Sequence, residues 1–248
     1  MILSFILVAL VLGSFANCLI WRLYINKSIG GRSICPQCKE QLAWYDNIPL
    51  LSFIFLKGKC RYCHKKISWQ YFLVELVMPI FFLGVWYLAA ADIFLLIKLC
   101  LAIFLLVIVF VFDLKYYLIP INLLFIISPL LYLFNILAGT IWWQALFFSA
   151  GLIIFFLIQY LLTSKKGIGE GDIFLGASLG LMLSSWTQVF ILIIVSYFLG
   201  SLVGLTLMLL KEKKWQSRLP LGVFLALGAI ISLFFSDYIW AWFLKIAI

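Results

Sequence analysis

The stretch LAIFLLVIVFVF, residues 101–112, is followed directly by Asp113. Joined to IFLLIKLC over 93–100, it gives an apolar segment of about 20 residues, the length that crosses the hydrocarbon core of a bilayer. Such runs recur along the chain. They predict transmembrane helices over 2–21, 71–90, 93–112, 119–138, 142–163, 173–185, 187–210 and 220–235 or somewhat further. An alternative ending places a separate interfacial segment over 238–248. The expected fold is all-α: a polytopic membrane protein of about eight transmembrane helices, with one sizeable loop between the first two.

Composition agrees. Of 248 residues, 67% are apolar and 11% are charged, against about 25% charged in a soluble domain. The net charge is +9. In a soluble protein this would raise nucleic acid as a partner. Here the basic residues are scattered through loops, so no nucleic-acid partner is expected and the bilayer is the partner that the charge addresses. Arg22, Lys27, Arg32, Lys39, Lys57, Lys59, Arg61, Lys65 and Lys66 lie between helices one and two. Lys115, then Lys165 and Lys166, then Lys211, Lys213, Lys214 and Arg218 fall on the same side of an eight-helix drawing. The turns near Asp92, Gly139, Ser184 and Asp237 carry no such cluster, and only Lys98 and Lys245 depart from the pattern. Positive-inside bias makes the basic side cytoplasmic and puts the N-terminus outside. The first apolar run has no basic residue before it and Arg22 after it. That is the reverse of a signal peptide, and it reads as a first membrane helix.

The loop carries Cys35-Pro36-Gln37-Cys38 and Cys60-Arg61-Tyr62-Cys63, with 21 residues between the pairs. Two C-x-x-C units at this spacing bring four thiolates around a zinc ion. Disulfides are the competing reading, but a cytoplasmic loop keeps its thiols reduced. A loop this small, with little apolar core, also gains stability from a metal. His64 reads as a bystander beside a complete ligand set. Cys18 and Cys100 read as buried apolar residues within helices.

The chain has nine acidic residues. Asp113 closes one apolar helix, and Asp172 closes Gly167-Ile168-Gly169-Glu170-Gly171-Asp172 and opens another. Both fall at the cytoplasmic ends of their helices. Asp172 alone reads as a helix cap. As a pair, two carboxylates in a low-dielectric site share a proton, so one activates water while the other donates to a peptide carbonyl. Gly169 and Gly171 let backbone or an extended substrate come close. Gly176 with Gly180, and Gly200 with Gly204, read as helix-packing pairs. Gly13, Ser14 and Asn17 make a small, polar face on helix one, where Asn17 reads as an interhelical hydrogen bonder.

Together these motifs resemble the bacterial prepilin peptidases, the type IV leader peptidases of the Gly-x-Gly-Asp aspartic protease group. The likeness runs through Gly13-Ser14-Phe15-Ala16-Asn17 with Arg22, through 32–38 and 44–49, and through Gly58-Lys59-Cys60-Arg61-Tyr62-Cys63 with Ile67-Ser68 and Glu75. It continues with Asp113 and Ile119-Pro120, Gly169-Glu170-Gly171-Asp172, and Leu219-Pro220-Leu221-Gly222-Val223-Phe224-Leu225-Ala226. Two positions depart from the family: Ile121, often acidic there, and Phe174, often lysine.

The resemblance implies a bifunctional enzyme of the bacterial cytoplasmic membrane. Asp113 and Asp172 would cleave the basic leader of prepilins and pseudopilins after a glycine, at the cytoplasmic face. The new N-terminus would then be methylated with S-adenosylmethionine. It also implies a division into a first helix (1–21), a methyltransferase-associated four-cysteine loop (22–70) and a membrane-embedded peptidase domain (71–248). The residues that bind the methyl donor are not identified; Arg22, Asp46, Asn47 and Glu75 are polar candidates. Glu170 is a candidate for attracting a basic leader. The alternatives are a cation or proton transporter using the two aspartates, a protease cutting within the bilayer, and a zinc-loop scaffold without catalysis.

Overall fold

The computed structural model describes residues 2–163, 167–210 and 219–247. Lys165, Lys166, Lys211, Lys213, Lys214 and Arg218 lie outside the described residues. The chain divides into two compact units, Met1–Leu88 and Ala89–Ile248. The described residues are helical, with two isolated β-bridges in the first loop.

In the first unit, α1 (Ile2–Tyr24) and α3 (Trp69–Ala89) flank the loop. They pack closely because Gly13 has no side chain: a Cβ there would stand 3.0 Å from the Glu75 Cα. Toward the other end, Phe5 meets Phe82 and Trp86 at ring-centroid distances of 5.7 and 5.1 Å. Between them runs a short 3-10 turn (Trp44–Asn47) and then α2 (Leu51–Phe55). Phe53 fixes α2 to α3 through ring contacts with Trp69 and Phe72, both at 5.3 Å.

The second unit holds α4 (Ile93–Tyr116), α5 (Ile121–Leu137), α6 (Trp142–Leu162), α7 (Glu170–Met182), α8 (Trp186–Leu209) and α9 (Leu221–Ala247). The quoted apolar run forms the body of α4, which is the buried centre of this unit: 102–109 are all enclosed. Asp92 caps its start by accepting from the Phe94 and Leu95 N–H groups. Gly180 brings α7 against α6, since a Cβ there would lie 2.3 Å from the Ser149 backbone.

Among the described residues, six helices (α1, α3, α4, α6, α8 and α9) are long and apolar enough to cross a membrane, fewer than the eight expected. The other two sit where the apolar runs place them but are shorter. Helix α5 has 17 residues and α7 has 13. At 1.5 Å per residue, α7 reaches about 20 Å, against about 30 Å of hydrocarbon. Helix α9 also corrects an expectation. It is continuous over Leu221–Ala247, with no separate final segment. The polar pair Ser236-Asp237, read as a turn, stays inside the helix: the Ser236 hydroxyl donates to Asp237 Oδ1. No Gly or Pro after Gly228 breaks the run. Cys18 and Cys100, expected to be buried, are only partly covered.

Candidate active site and cysteine cluster

Asp113 sits one turn before the end of α4. The helix closes at Tyr117, a left-handed residue (φ 56°) whose N–H donates to the Asp113 carbonyl. Asp172 lies in the first turn of α7, where its Oδ2 accepts from the Gly169 N–H at 3.0 Å. The helix-capping role that Asp172 suggests by itself is therefore present. It also fixes the carboxylate in one orientation.

Asp113 is held in the same way from another element. Its Oδ2 accepts from the Val223 N–H at 3.0 Å, at the start of α9. The two side chains are 5% and 8% exposed. They are electrostatic neighbours: the charge of Asp113 bears on Asp172. One isoleucine joins their supports. A Cβ on Gly171 would stand 2.8 Å from the Ile119 Cβ, and a Cβ on Gly222 would stand 2.6 Å from its Cδ1. Gly222 faces Asp113 as well, with Oδ2 2.8 Å from that hypothetical Cβ. The two glycines thus let Ile119 and the Asp113 carboxylate pack directly on their backbones.

Three neighbours on α6 and α8, Tyr160, Gln159 and Tyr197, carry no sequence signal of a site. The Tyr197 hydroxyl donates to Gln159 Oε1 at 2.6 Å, and the charge of Asp172 reaches Tyr197. The Tyr160 hydroxyl donates to Glu170 Oε1 at 2.6 Å, so Glu170 has a protein partner. Phe174 packs on Phe125 at 5.6 Å, which gives the departure from lysine an apolar role. Tyr160, Gln159 and Tyr197 stand alone on apolar helices, so only the packing of α6, α7 and α8 brings them here.

In the first unit the two C-x-x-C turns are built alike. The Cys35 N–H donates to the Glu40 carbonyl, and the Lys39 N–H to the Cys35 carbonyl. Likewise the Cys60 N–H donates to the Lys65 carbonyl, and the His64 N–H to the Cys60 carbonyl. Lys39 and His64 take equivalent left-handed positions, at φ 63° and 55°. His64 is thus a turn residue, outside the cluster. The four sulfur atoms of Cys35, Cys38, Cys60 and Cys63 lie within 4.8 Å of one another. Four thiolates at about 2.3 Å from a tetrahedral zinc are separated by about 3.8 Å, so the set fits that ion. All four thiols are free of disulfides. Burial raises the Cys35 thiol, but N–H donors from Cys38 and Gln37 and the neighbouring thiols outweigh this and hold it at about 7. Cys38 gains from the Glu40 N–H, yet burial and the Cys35 and Cys63 thiols push it up to about 11. Four thiols this close resist ionising together, and a divalent cation removes that penalty.

The other polar candidates of this unit are engaged within the loop. The Arg22 guanidinium donates to the carbonyls of Ser28, Ile29, Gly30, Gly31 and Arg32. Asp46 pairs with Arg61 at 2.8 Å and accepts from the Ala43 N–H. The Asn47 carbonyl accepts from Ser14, and Glu75 accepts from the Leu50 N–H at 2.8 Å.

Fold and site define a class: a multi-pass membrane protein with paired buried carboxylates at helix ends and a four-cysteine loop. Residues 7–89 match the Bacterial Peptidase A24 N-terminal domain, and residues 99–205 match the Type IV leader peptidase family. A prepilin leader peptidase/N-methyltransferase of Aeromonas hydrophila is 32% identical over 96% of this chain and 92% of its own length. One of Bacillus subtilis (strain 168) is 31% identical over 96% of both. Another, of Vibrio cholerae, is 41% identical over 47% of this chain and 49% of its own. No solved structure matches. The chain belongs to the type IV leader peptidase family and is a membrane-embedded peptidase. These findings do not favour the transporter alternative.

Proposed function

We propose that the chain removes the leader of type IV prepilins and pseudopilins, using Asp113 and Asp172 as its catalytic pair. The observation that carries this is the pair itself: two buried, neighbouring carboxylates, Asp113 held by backbone N–H groups at the start of α9 and Asp172 by the Gly169 N–H. Burial disfavours two charges side by side, so the pair holds one proton between its members. The ionised member takes a proton from water as that water attacks the scissile carbonyl. The protonated member donates to the carbonyl oxygen, and the tetrahedral intermediate then collapses with proton transfer to the leaving amine. Gly171 and Gly222 let Ile119 pack on both helix starts, which holds the supports of the two carboxylates together.

The basic loop residues support a cytoplasmic placement of the loop and the aspartates, with the protein in the bacterial inner membrane. A basic leader would then stay in the cytoplasm while the apolar start of the mature protein lies in the bilayer. The scissile bond falls at the interface, the depth of Asp113 and Asp172. Zinc would be held by Cys35, Cys38, Cys60 and Cys63 and would cross-link the loop. The relatives' names support a second activity, N-methylation of the new N-terminus with S-adenosylmethionine.

The test is cleavage of a model prepilin by purified wild type, Asp113→Asn and Asp172→Asn. Each variant should lose cleavage by about 1,000-fold or more, since each removes half of the acid–base pair. Cleavage retained by both variants overturns the reading. A cut mapped deep within the apolar segment would instead make this a protease acting inside the bilayer.

A further inference from the structure

Glu75 is a buried carboxylate that the cleavage chemistry does not use. It is 6% exposed, in the second turn of α3. Among the described residues, no lysine or arginine lies within ion-pair distance of it; the ion pair found there joins Arg61 to Asp46. A carboxylate enclosed without a cation is costly. Its neutral partners are the Leu50 N–H and the Ser14 hydroxyl.

The surrounding oxygens add to the same sign of potential. The Asn47 and Tyr71 carbonyls accept from Ser14 and Asn17, and Asn17 Oδ1 accepts a long 3.4 Å bond from Gln70. The backbone is strained at the contact. Leu50 has φ 60° and ψ −48°, and the Leu51 N–H closes a three-residue turn onto the Pro49 carbonyl at 2.6 Å. Such γ-turns are rare in a non-glycine residue, and strain of this kind concentrates at binding and catalytic sites. A glutamine would satisfy the Leu50 N–H equally well, so scaffolding alone gives no reason for a charge.

We infer that Glu75, with Ser14 and Asn17, forms the site that receives the α-ammonium group of the newly exposed polypeptide N-terminus and takes its proton for methyl transfer. This rests on the methylation reading above. The ammonium supplies the cation that the buried carboxylate lacks. Once its proton has passed to Glu75, the amine nitrogen attacks the methyl carbon of a sulfonium donor. The N–C bond forms as the C–S bond breaks, and the electron pair of that bond stays on sulfur as a neutral thioether. The product is an N-methylammonium group, and Glu75 releases its proton to water.

The experiment uses full-length protein, a model prepilin and S-adenosylmethionine, with mass spectrometry of the mature N-terminus. Glu75→Gln keeps the hydrogen-bond acceptor and removes the charge. It should cleave as wild type does and methylate about 100-fold more slowly or worse, the usual weight of a general base. Methylation near the wild-type rate overturns the inference. Loss of cleavage and zinc together with methylation also overturns it, by making Glu75 a scaffold. A wild type that cleaves but never methylates overturns the methylation reading itself. A measurement on the wild type is independent of the variant's folding. A peptide of the mature start with a free amine should inhibit methylation at least about tenfold better than its N-acetyl twin, a difference of about 1.4 kcal/mol. Equal inhibition overturns the inference.

Discussion

Asp113 and Gly222 meet face to face: the Asp113 Oδ2 lies 2.8 Å from the position a Cβ on Gly222 would take, and it accepts from the next residue's N–H. An alanine there must displace the carboxylate or the helix start that holds it. Gly222→Ala should therefore lower prepilin cleavage about 100-fold, in line with a displaced catalytic group. The added methyl also meets the Ile119 Cδ1. Ile119→Ala relieves that clash alone, so the double variant should stay about as slow as Gly222→Ala. Rescue by Ile119→Ala would show that Asp113 was never displaced. Cleavage kinetics with thermal unfolding in detergent measure both.

The cysteine cluster gives a metal prediction with internal controls. Purified without chelator, the protein should hold about one zinc per chain. Cys35→Ser and Cys60→Ser should lose most of it, because each removes a buried ligand of four. Cys18→Ser, Cys100→Ser and His64→Ala should keep it, since Cys18 and Cys100 lie in helices and His64 serves a turn. Elemental analysis decides. Full zinc in Cys60→Ser, or loss in His64→Ala, would contradict the assignment.

The glycine pairs in α7 and α8 look alike in sequence but differ in what they meet. A Cβ on Gly180 would stand 2.3 Å from the Ser149 backbone, which cannot yield without moving α6 from α7. A Cβ on Gly204 would meet only the tip of Leu219, at 3.0 Å. Gly180→Ala should cost about 2–3 kcal/mol, the scale of overpacking, while Gly204→Ala stays within about 0.5 kcal/mol. Unfolding in detergent compares them, and equal costs would refute the difference.

The same contrast marks what sequence discloses. Apolar length located the helices, because a bilayer demands about 20 apolar residues wherever a chain crosses it. It overcounted full spans at α5 and α7, since apolar character does not reveal where backbone turns away. The polar pair Ser236-Asp237 resembled a turn because hydropathy does not register a serine that bonds within its own helix. The positions of Asp113 and Asp172 could be read from their places at helix ends. Their nearness could not, because it depends on Ile119, Gly171 and Gly222 converging from three separate elements. Tyr197 and Gln159 were invisible for the same reason.

Lys98, like Lys245, broke the charge pattern on the side opposite the loops, and the surroundings of Lys98 explain it. It is 2% exposed, so it is no topology signal. Its ammonium donates to Asn135 Oδ1 and to Ser184 Oγ, both at 2.7 Å. Asn135 in turn donates to the Leu181 carbonyl in the last turn of α7, and Gln144 donates to the Ser184 carbonyl. A helix of 13 residues ends inside the unit with carbonyls that need donors, and this network supplies them. Lys98→Met removes the charge but strands two acceptors, so it should cost about 3 kcal/mol. Adding Asn135→Leu removes one of them, and the double variant should cost less than the sum of the single ones by about 1 kcal/mol. Because α7 carries Asp172 at its other end, cleavage should fall in Lys98→Met and fall little further in the double variant, since both changes break the same link to the Leu181 carbonyl. Strict additivity in both stability and cleavage would sever Lys98 from the end of α7.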